Sequence, residues 1–552
     1  MSSINIKLPS GETKPYPYAV RVRDILKEEP SVEKNRLVAA LVNNELVSLS
    51  CPLETDSEIC PVYTNDNRGV QVFRRSLSYL LFLAASECLP DKRLIISHSL
   101  GNGYYYYYED GSAITPEEVN LLEKVMGEIV REGRGIHRRQ ISYARAAEYF
   151  KDRGWTGQAL FLAYRSDALI PIYQCGPFWE MGFEPLVDNT AKLKPFELRP
   201  YGAGLLLRYP RTQDPDRIPP FTDNLLLYDI YREYKAWGKI LNLDSVGKLN
   251  KVIHEKKIQA FIQVAEALHN KKIAEIADRI QAKRGSVKVV FIAGPSSSGK
   301  TTFCKKLAIQ LRVLGFNPLI IGLDDYFLPR DQTPRDERGN PDWENLGAID
   351  VELLNQNLLT LFDGGKITLP VYDFKTGTRR ENGPVLEMGS RTILLVEGIH
   401  GLNDSLTPLI KAEQKFKIYI SALTQLNIDG SNRIATTDNR LLRRIIRDNQ
   451  FRGHDALKTL TMWDAVRAGE KKNIFPFQNN ADCAFNSALD YELAVLKPYA
   501  ELPLTMVKPW HDQYAEARRL LGLLSNFLTI PVKFVPTDSI LREFVGDSDF
   551  KY

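Results

Sequence analysis

The 552-residue sequence predicts a multidomain chain of α+β and α/β class, closing with a domain built on a parallel sheet. Its length exceeds what one hydrophobic core sustains, so roughly two to four domains are expected. The first sixty residues alternate short strand and turn signals, as a small separate α+β unit does. In the last half, three apolar β-branched runs each end in a phosphate-loop or carboxylate signal, the pattern of buried parallel strands with a site at their ends. Apolar residues at 44% and charged residues at 25% exclude wholesale disorder and a fibrous chain. Lys+Arg 72 against Asp+Glu 68 leaves +4, which gives no support for a nucleic-acid binder working by bulk charge.

The elements follow in order. INIKL (4–8) reads as a strand and PSGE (9–12) as its turn. AVRVRDILKE (19–28) fits a strand end running into a helix, and LVAALVNNELVSLS (37–50) two strands joined at Asn43-Asn44. SLSYLLFLAASECL (76–89) has a helical apolar pattern. Tyr104 to Tyr108 suit a strand with two semi-buried faces, because alternate side chains point opposite ways. REGRGIHRRQ (131–140) reads as a solvated basic helix end or loop. From Ile258, the spacing Phe261, Ile262, Ala265, Leu268, Ile273, Ile276, Ala277, Ile280 predicts a connector helix stopping near Gly285.

No apolar run reaches the roughly 20 residues of a membrane helix, and the N-terminus lacks the apolar core of a secretory signal. The six cysteines are scattered with no C-x-x-C pair, which points to a reducing compartment and a cytoplasmic location.

VKVVFIAGPSSSGKTTF (287–303) is the strongest signal. A buried strand runs into Gly294, Pro295, Ser296, Ser297, Ser298, Gly299, Lys300, Thr301 and Thr302, and a helical pattern follows to Gly315. The glycines let backbone N–H groups face phosphates, and the helix N-terminus adds its positive end. Lys300 is suited to the β- and γ-phosphates of ATP, and the Thr301 hydroxyl to Mg²⁺. PLIIGL (318–323) is a second strand, ending in Asp324-Asp325, where a carboxylate can accept a proton from an attacking hydroxyl. TILLV (392–396) is a third, ending in Glu397, the place of a carboxylate close to the metal. In TTDNRLLRRIIRD (436–448), Arg440, Arg443, Arg444 and Arg447 fall on one helix face and predict a lid closing over phosphate.

At these residues the chain resembles the uridine kinase and phosphoribulokinase group of P-loop kinases, over about 287–490. The resemblance rests on GPSSSGKTT (294–302), LDDYF (323–327), WENLGAID (343–350), PVYDFKTGTRR (370–380), LVEGIHGL (395–402) and RLLRRIIRDNQFRG (440–453). It implies Asp324 as the base for the acceptor hydroxyl, acting with Lys300 and Arg444, and Glu397 near Mg²⁺. It places Glu344, Tyr372, Phe374 and Arg379 at the acceptor. The histidine that reads the pyrimidine base in uridine kinases is Gly377 here, and Glu344 stands where that group has an aspartate.

The front half is also similar to known modules. Residues 1–62 resemble a TGS domain of ubiquitin-like β-grasp type, and 71–215 the second, editing domain of threonyl-tRNA synthetase. That domain's metal-ligand positions read Arg75, Tyr79, Cys175 and Phe178, a set that cannot hold zinc, so the resemblance implies a scaffold without editing activity. The remaining divisions are a helical connector at 216–285 and a kinase domain at 286–552, whose ending SILREFVGDSDF resembles the tail of bacterial kinases of this layout. The expected activity is ATP- and Mg-dependent phosphorylation of a small-molecule hydroxyl, with a nucleoside first. A sugar or sugar-phosphate kinase, or an RNA- or ribosome-associated regulatory ATPase, remains open. A homo-oligomer is expected, without membrane or zinc and with nucleic acid not favoured.

Overall fold

A computed structural model describes residues 3–551 apart from positions 31, 34, 35, 336–338, 340, 374 and 375, and apart from the side chain of Lys239. Its N-terminal unit is a five-stranded sheet in which Ser3–Lys7 pairs antiparallel with Thr13–Pro17 and parallel with Ser57–Tyr63. The helix Val22–Glu28 buries Val22, Ile25 and Leu26 against it. Leu37–Val42 and Glu45–Val47 form a hairpin whose turn residues Asn43 and Asn44 both have positive φ, 49° and 62°. A two-residue turn of this handedness matches strand twist, and asparagine tolerates it better than most residues.

The second region opens earlier than the apolar pattern indicates. Its helix runs Asn67–Cys88, capped by the Asp66 side chain on the N–H groups of Arg68 and Gly69. The first turns carry arginines and so hide from an apolar count. The tyrosine strand is Gly103–Tyr108, inside a four-stranded antiparallel sheet. Tyr106 and Tyr108 enter the core beneath the Asn67–Cys88 helix, whereas Tyr105 packs on the other side with Tyr231, Ala293 and Tyr419. One sheet face therefore closes the front half and the other docks on the C-terminal domain. The basic stretch 131–140 is not a solvated loop throughout. The helix Pro116–Glu132 stops at Gly133 (φ 66°), and His137–Ser142 is a strand paired with Leu169–Cys175. Its exposed face hosts the arginines while its backbone completes a three-stranded sheet.

The segment 216–285 contains Leu225–Ile240, Val246–His254 and Ile258–Ala282. The last helix ends three residues before Gly285. These helices are more than a link. Ile262, Ile276 and Ile280 share one continuous core with Phe150 and Phe161 in front and with Phe303, Leu307 and Phe485 behind.

The C-terminal sheet has five parallel strands in the order Asn317–Gly322, Thr392–Glu397, Val289–Ala293, Lys415–Ser421, Cys483–Asn486. The strand that comes first in the sequence sits in the middle, so the loop after it lies where the order reverses, the expected place for a ligand in such sheets. Gly294 is there because a Cβ would lie 1.9 Å from the Ile420 carbonyl oxygen of the neighbouring strand. The chain ends with Glu492–Thr505, Tyr514–Leu524 and a tail that returns to the loop helix Lys300–Val313. Lys306 Nζ lies 2.8 Å from Asp538 Oδ2, and Glu266 accepts from Tyr491 and Ser539 at 2.6 and 2.5 Å. No described helix is long and apolar enough to cross a membrane.

The Arg443–Glu492 pair is fully buried, with side-chain exposures of 0% and 2%. Glu492→Gln keeps the shape but leaves the guanidinium uncompensated. It should lower stability by about 3–5 kcal/mol, read as a fall in thermal midpoint. Arg443→Met with Glu492→Leu should recover most of it. A single-variant loss under about 1 kcal/mol, the worth of a surface pair, would show that the buried pair is not structural.

Candidate active site

The site lies at the carboxyl ends of three adjacent parallel strands. After Val289–Ala293 the loop turns through Ser297 (φ 58°) and Gly299 (φ 81°) into the helix beginning at Lys300. A left-handed conformation at two nearby residues is what turns successive N–H groups to one side. The Ser297 and Ser298 hydroxyls are buried and find no hydrogen-bond partner among the described residues. Such buried polar atoms suit a ligand rich in acceptors. Lys300 Nζ donates to the Gly294 and Pro295 carbonyls at 3.0 and 3.2 Å.

The Thr301 hydroxyl donates to Glu397 Oε1 at 2.8 Å. Burial pushes the Glu397 carboxyl up to about 7, with Lys300 opposing and Asp324 adding to the rise. A carboxylate beside a hydroxyl, raised by burial until it is only partly ionised near neutral pH, suits a cation such as Mg²⁺. That ion takes few protein oxygens and completes its shell with water and phosphate. Among the described residues no cluster of three or more His, Cys, Asp and Glu could hold a metal by itself.

The two aspartates after Asn317–Gly322 diverge. Asp325 Oδ1 accepts from Tyr372 N at 3.4 Å, tying down the hairpin Val371–Asp373/Thr378–Arg380. Asp324 opens into the cleft. The protein crowded around that cleft pushes its carboxyl above the usual range, while Lys300, Arg452 and Arg447 pull it down. Glu344 is half-buried, and its carboxyl is raised to about 7 by burial and by Glu470, with Lys300 and Arg444 opposing. Its stem lies against Gly469, where a Cβ would come within 2.6 Å of Glu344 Cβ.

Tyr372 is buried and packs edge-on with Phe327 and Trp343, at ring-centroid distances of 5.7 and 5.8 Å. Arg379 reaches Asp350 at 2.9 Å and Glu381 at 3.1 Å. Phe374 lies outside the described residues. Gly377 has φ 72°, and a Cβ there would fall 2.7 Å from Arg330 Nε, so a guanidinium covers this position.

The arginine helix, Thr436–Phe451, differs from the lid expected of it. Arg440 pairs in bidentate fashion with Glu470, at 2.5 and 2.8 Å, and donates to the Ser296 carbonyl at 3.2 Å. Arg443 pairs with Glu492 and donates to the Ser297 and Ser487 carbonyls at 3.4 and 2.8 Å. Both are buried behind the phosphate loop and hold it, so neither is placed to close over it from solvent. Arg444 donates to Ser296 Oγ at 2.8 Å, and Arg447 to Asp448 at 2.9 Å. These two turn towards the cleft, where they act on Glu344 and Asp324 respectively.

Sequence patterns did not reveal Glu470, Glu492 or Glu543. Glu470 Oε1 accepts from Ser296 N at 2.9 Å. Glu543 in the tail accepts from Thr302 N and Thr302 Oγ1 at 3.2 and 2.6 Å, and Ile540 packs against Gly299. The Glu543 carboxylate thus holds an N–H at the start of the loop helix, where a helix N-terminus favours an anion. A carboxylate in an otherwise charged tail has no local signature.

In the front half, Tyr79, Cys175 and Phe178 do come together. The Tyr79 ring meets Phe178 at 5.2 Å, its hydroxyl lies 3.4 Å from the Tyr173 carbonyl, and Cys175 is buried. Arg75 is paired with Glu184. Packing and an ion pair occupy the four positions.

Residues 289–494 match the model of the Phosphoribulokinase / Uridine kinase family, and this region is a kinase domain of that family. The N-terminal region matches threonine–tRNA ligases. The enzyme of Nitrosomonas eutropha is 30% identical over 194 residues, covering 35% of this chain and 31% of the relative. That of Burkholderia lata is 31% identical over 198 residues, with the same shares. The chain thus spans about a third of the length of these curated relatives. Among solved structures, the chain is similar to a possible uridine kinase from Bacillus stearothermophilus, with 22% identity, 39% of this chain, 98% of that chain and a TM-score of 0.27. It is also similar to a D-glycerate 3-kinase from Cryptococcus neoformans, with 15% identity, 46% of this chain, 87% of that chain and a TM-score of 0.22.

Glu543→Gln should tighten ATP binding several-fold, by about 1 kcal/mol, since an anion leaves a helix N-terminus that phosphate needs. Equilibrium titration of ATP against wild type and variant reads this. Equal or weaker binding in the variant would mean that the tail carboxylate does not compete with nucleotide.

Proposed function

We propose that the chain is an ATP- and Mg²⁺-dependent kinase that transfers the γ-phosphate of ATP to a hydroxyl of a small molecule, a nucleoside first. The observation that carries this is the division of labour after strand Asn317–Gly322. Asp325 anchors the acceptor hairpin, and Asp324 alone opens to the cleft that Lys300 and Glu397 share. An ATPase without an acceptor needs neither an acceptor-side base nor that hairpin.

In this reading the loop N–H groups and Lys300 hold the β- and γ-phosphates. Thr301 and Glu397 would hold Mg²⁺, which, when bound, neutralises charge developing on the phosphates. Asp324 accepts the proton of the acceptor hydroxyl. The acceptor's hydroxyl oxygen attacks the γ-phosphorus, the bond to the β–γ bridging oxygen breaks, and ADP leaves. Arg444 and Arg447 face the charge that spreads over the transferring group. Glu344, with Tyr372 and Trp343, borders the acceptor.

A second reading, a sugar or sugar-phosphate kinase, is favoured by one feature. At Gly377, where uridine kinases have a base-reading histidine, the Arg330 guanidinium lies over the backbone. A cation there suits an anionic acceptor better than a pyrimidine. ATP-consumption assays across nucleosides, sugars and sugar phosphates separate the two readings. ATP hydrolysis indifferent to all of them would overturn both.

With the accepted substrate, Asp324→Asn should lower turnover by about 10²–10⁴ with little change in ATP affinity. Asp325→Asn should cost much less and act mainly on acceptor KM, through the loosened hairpin. The reverse pattern would shift the base by one residue. Lys300→Ala should nearly abolish transfer while its nucleotide-free thermal midpoint stays close to wild type, because among the described residues the Lys300 ammonium donates to loop carbonyls and not into a core. A midpoint drop of core-deletion size would contradict its role on phosphate.

A further inference from the structure

A cavity of about 710 Å³ lies between the front half and the C-terminal domain, behind the phosphate loop. It is within the size range of small-molecule sites. Five of its cations have no carboxylate partner within 4.0 Å among the described residues: Arg74, Arg211, Arg433, Arg467 and Lys471. They come from four separate stretches of chain, so no single basic helix face accounts for them. The acids in the same wall are otherwise engaged. Glu184 pairs with Arg75, and Asp438 accepts two bonds from Arg519, each 2.8 Å. Burial pushes the Glu180 carboxyl up to about 7, so it supplies at most part of a charge near neutral pH.

Two of the guanidinium groups are already fixed. Arg74 lies 4.4 Å over the Tyr209 ring and Arg433 4.9 Å over the Tyr104 ring. Stacking of this kind spares the entropy of orienting an arginine fork on an anion. The ammonium of Lys471 is pushed below its usual range by burial and then by Arg467, Arg74 and Arg211, with Asp464 opposing. Four like charges thus converge on a chain whose total is only +4. Left alone, they repel one another.

We propose that this cavity is a second ligand site, separate from the phosphate loop, for a phosphorylated small molecule of about nucleotide size. Phosphate groups would sit among Arg74, Arg211, Arg467 and Lys471. The site is built to report to the loop. Helix Ala456–Asn473 carries Arg467 and Lys471 on one side of Glu470, and Glu470 is the carboxylate that holds Ser296 N and Arg440. Pro295 and Arg440 themselves line the cavity. An anion drawing in Arg467 and Lys471 therefore acts within one helical turn on the carboxylate that fixes the loop.

The test is a titration of inorganic pyrophosphate into the full chain carrying Lys300→Ala, which mutes the phosphate loop. About one equivalent should bind. Adding Arg467→Gln with Lys471→Gln should weaken binding at least tenfold, and Arg211→Gln, from a separate stretch of chain in the same lining, should do so as well. Lys458→Gln, exposed on the same helix but outside the cavity, should change it less than twofold. Thermal melts of each variant show that the fold persists, and Arg211→Gln, on an exposed loop, provides the comparison if the double variant does not fold. Absence of binding in the Lys300→Ala chain, or binding equal across all variants, overturns the site. A short single-stranded RNA that binds through these residues while pyrophosphate does not would overturn it in favour of a nucleic-acid surface. The outcome does not depend on the kinase reading, because no phosphoryl transfer is measured.

Discussion

The phosphate loop must hold its N–H groups pointing outwards, with Ser297 and Gly299 in left-handed backbone, and it cannot do so by itself. Two buried ion pairs fix it from behind. Arg440 with Glu470 grips the Ser296 carbonyl and N–H, and Arg443 with Glu492 grips Ser297 and Ser487. Burying four charges is costly unless geometry and remaining hydrogen bonds are satisfied. Here most are, and the loop backbone provides part of that satisfaction. The arrangement therefore ties the shape of the loop to the integrity of the helices that carry the charges.

Those helices are not confined to one domain's core. The connector helix Ile258–Ala282, the loop helix and the C-terminal helices form a single apolar body with the front half's Phe150 and Phe161. The tyrosine strand adds a second contact, with Tyr105 against Tyr231 and Tyr419. A front half packed this closely cannot move without disturbing the sheet that positions the site. The tail closes the circuit, since Lys306–Asp538 and Thr302–Glu543 fasten the loop helix, and Glu266–Ser539 the connector helix, to the last residues of the chain. The interdomain cavity lies in the seam so created, with the loop as one of its walls.

Much of this was legible from local chemistry. The three strands, the glycine loop and the carboxylates Asp324 and Glu397 all sit at strand ends, where apolar runs meet polar turns, and so appear directly in sequence. The Asn43-Asn44 hairpin and the tyrosine strand follow from turn preference and alternation. The start of the Asn67–Cys88 helix was hidden because its first turns bear arginines. The strand His137–Ser142 was hidden because its pairing, not its composition, makes it one.

By itself the sequence determined the phosphate loop, the strands that lead into the site and the carboxylates available to it, since each depends on neighbours within a few residues. Only the tertiary structure decided what the arginine helix does. One helix face can meet solvent, substrate or a buried acid. Glu470 and Glu492 lie 30 and 49 residues away from Arg440 and Arg443. The same holds for Glu543, 241 residues from Thr302, and for the cations of the seam. Charge is a long-range property, and its partner is chosen by the packing of apolar surfaces that local sequence does not encode.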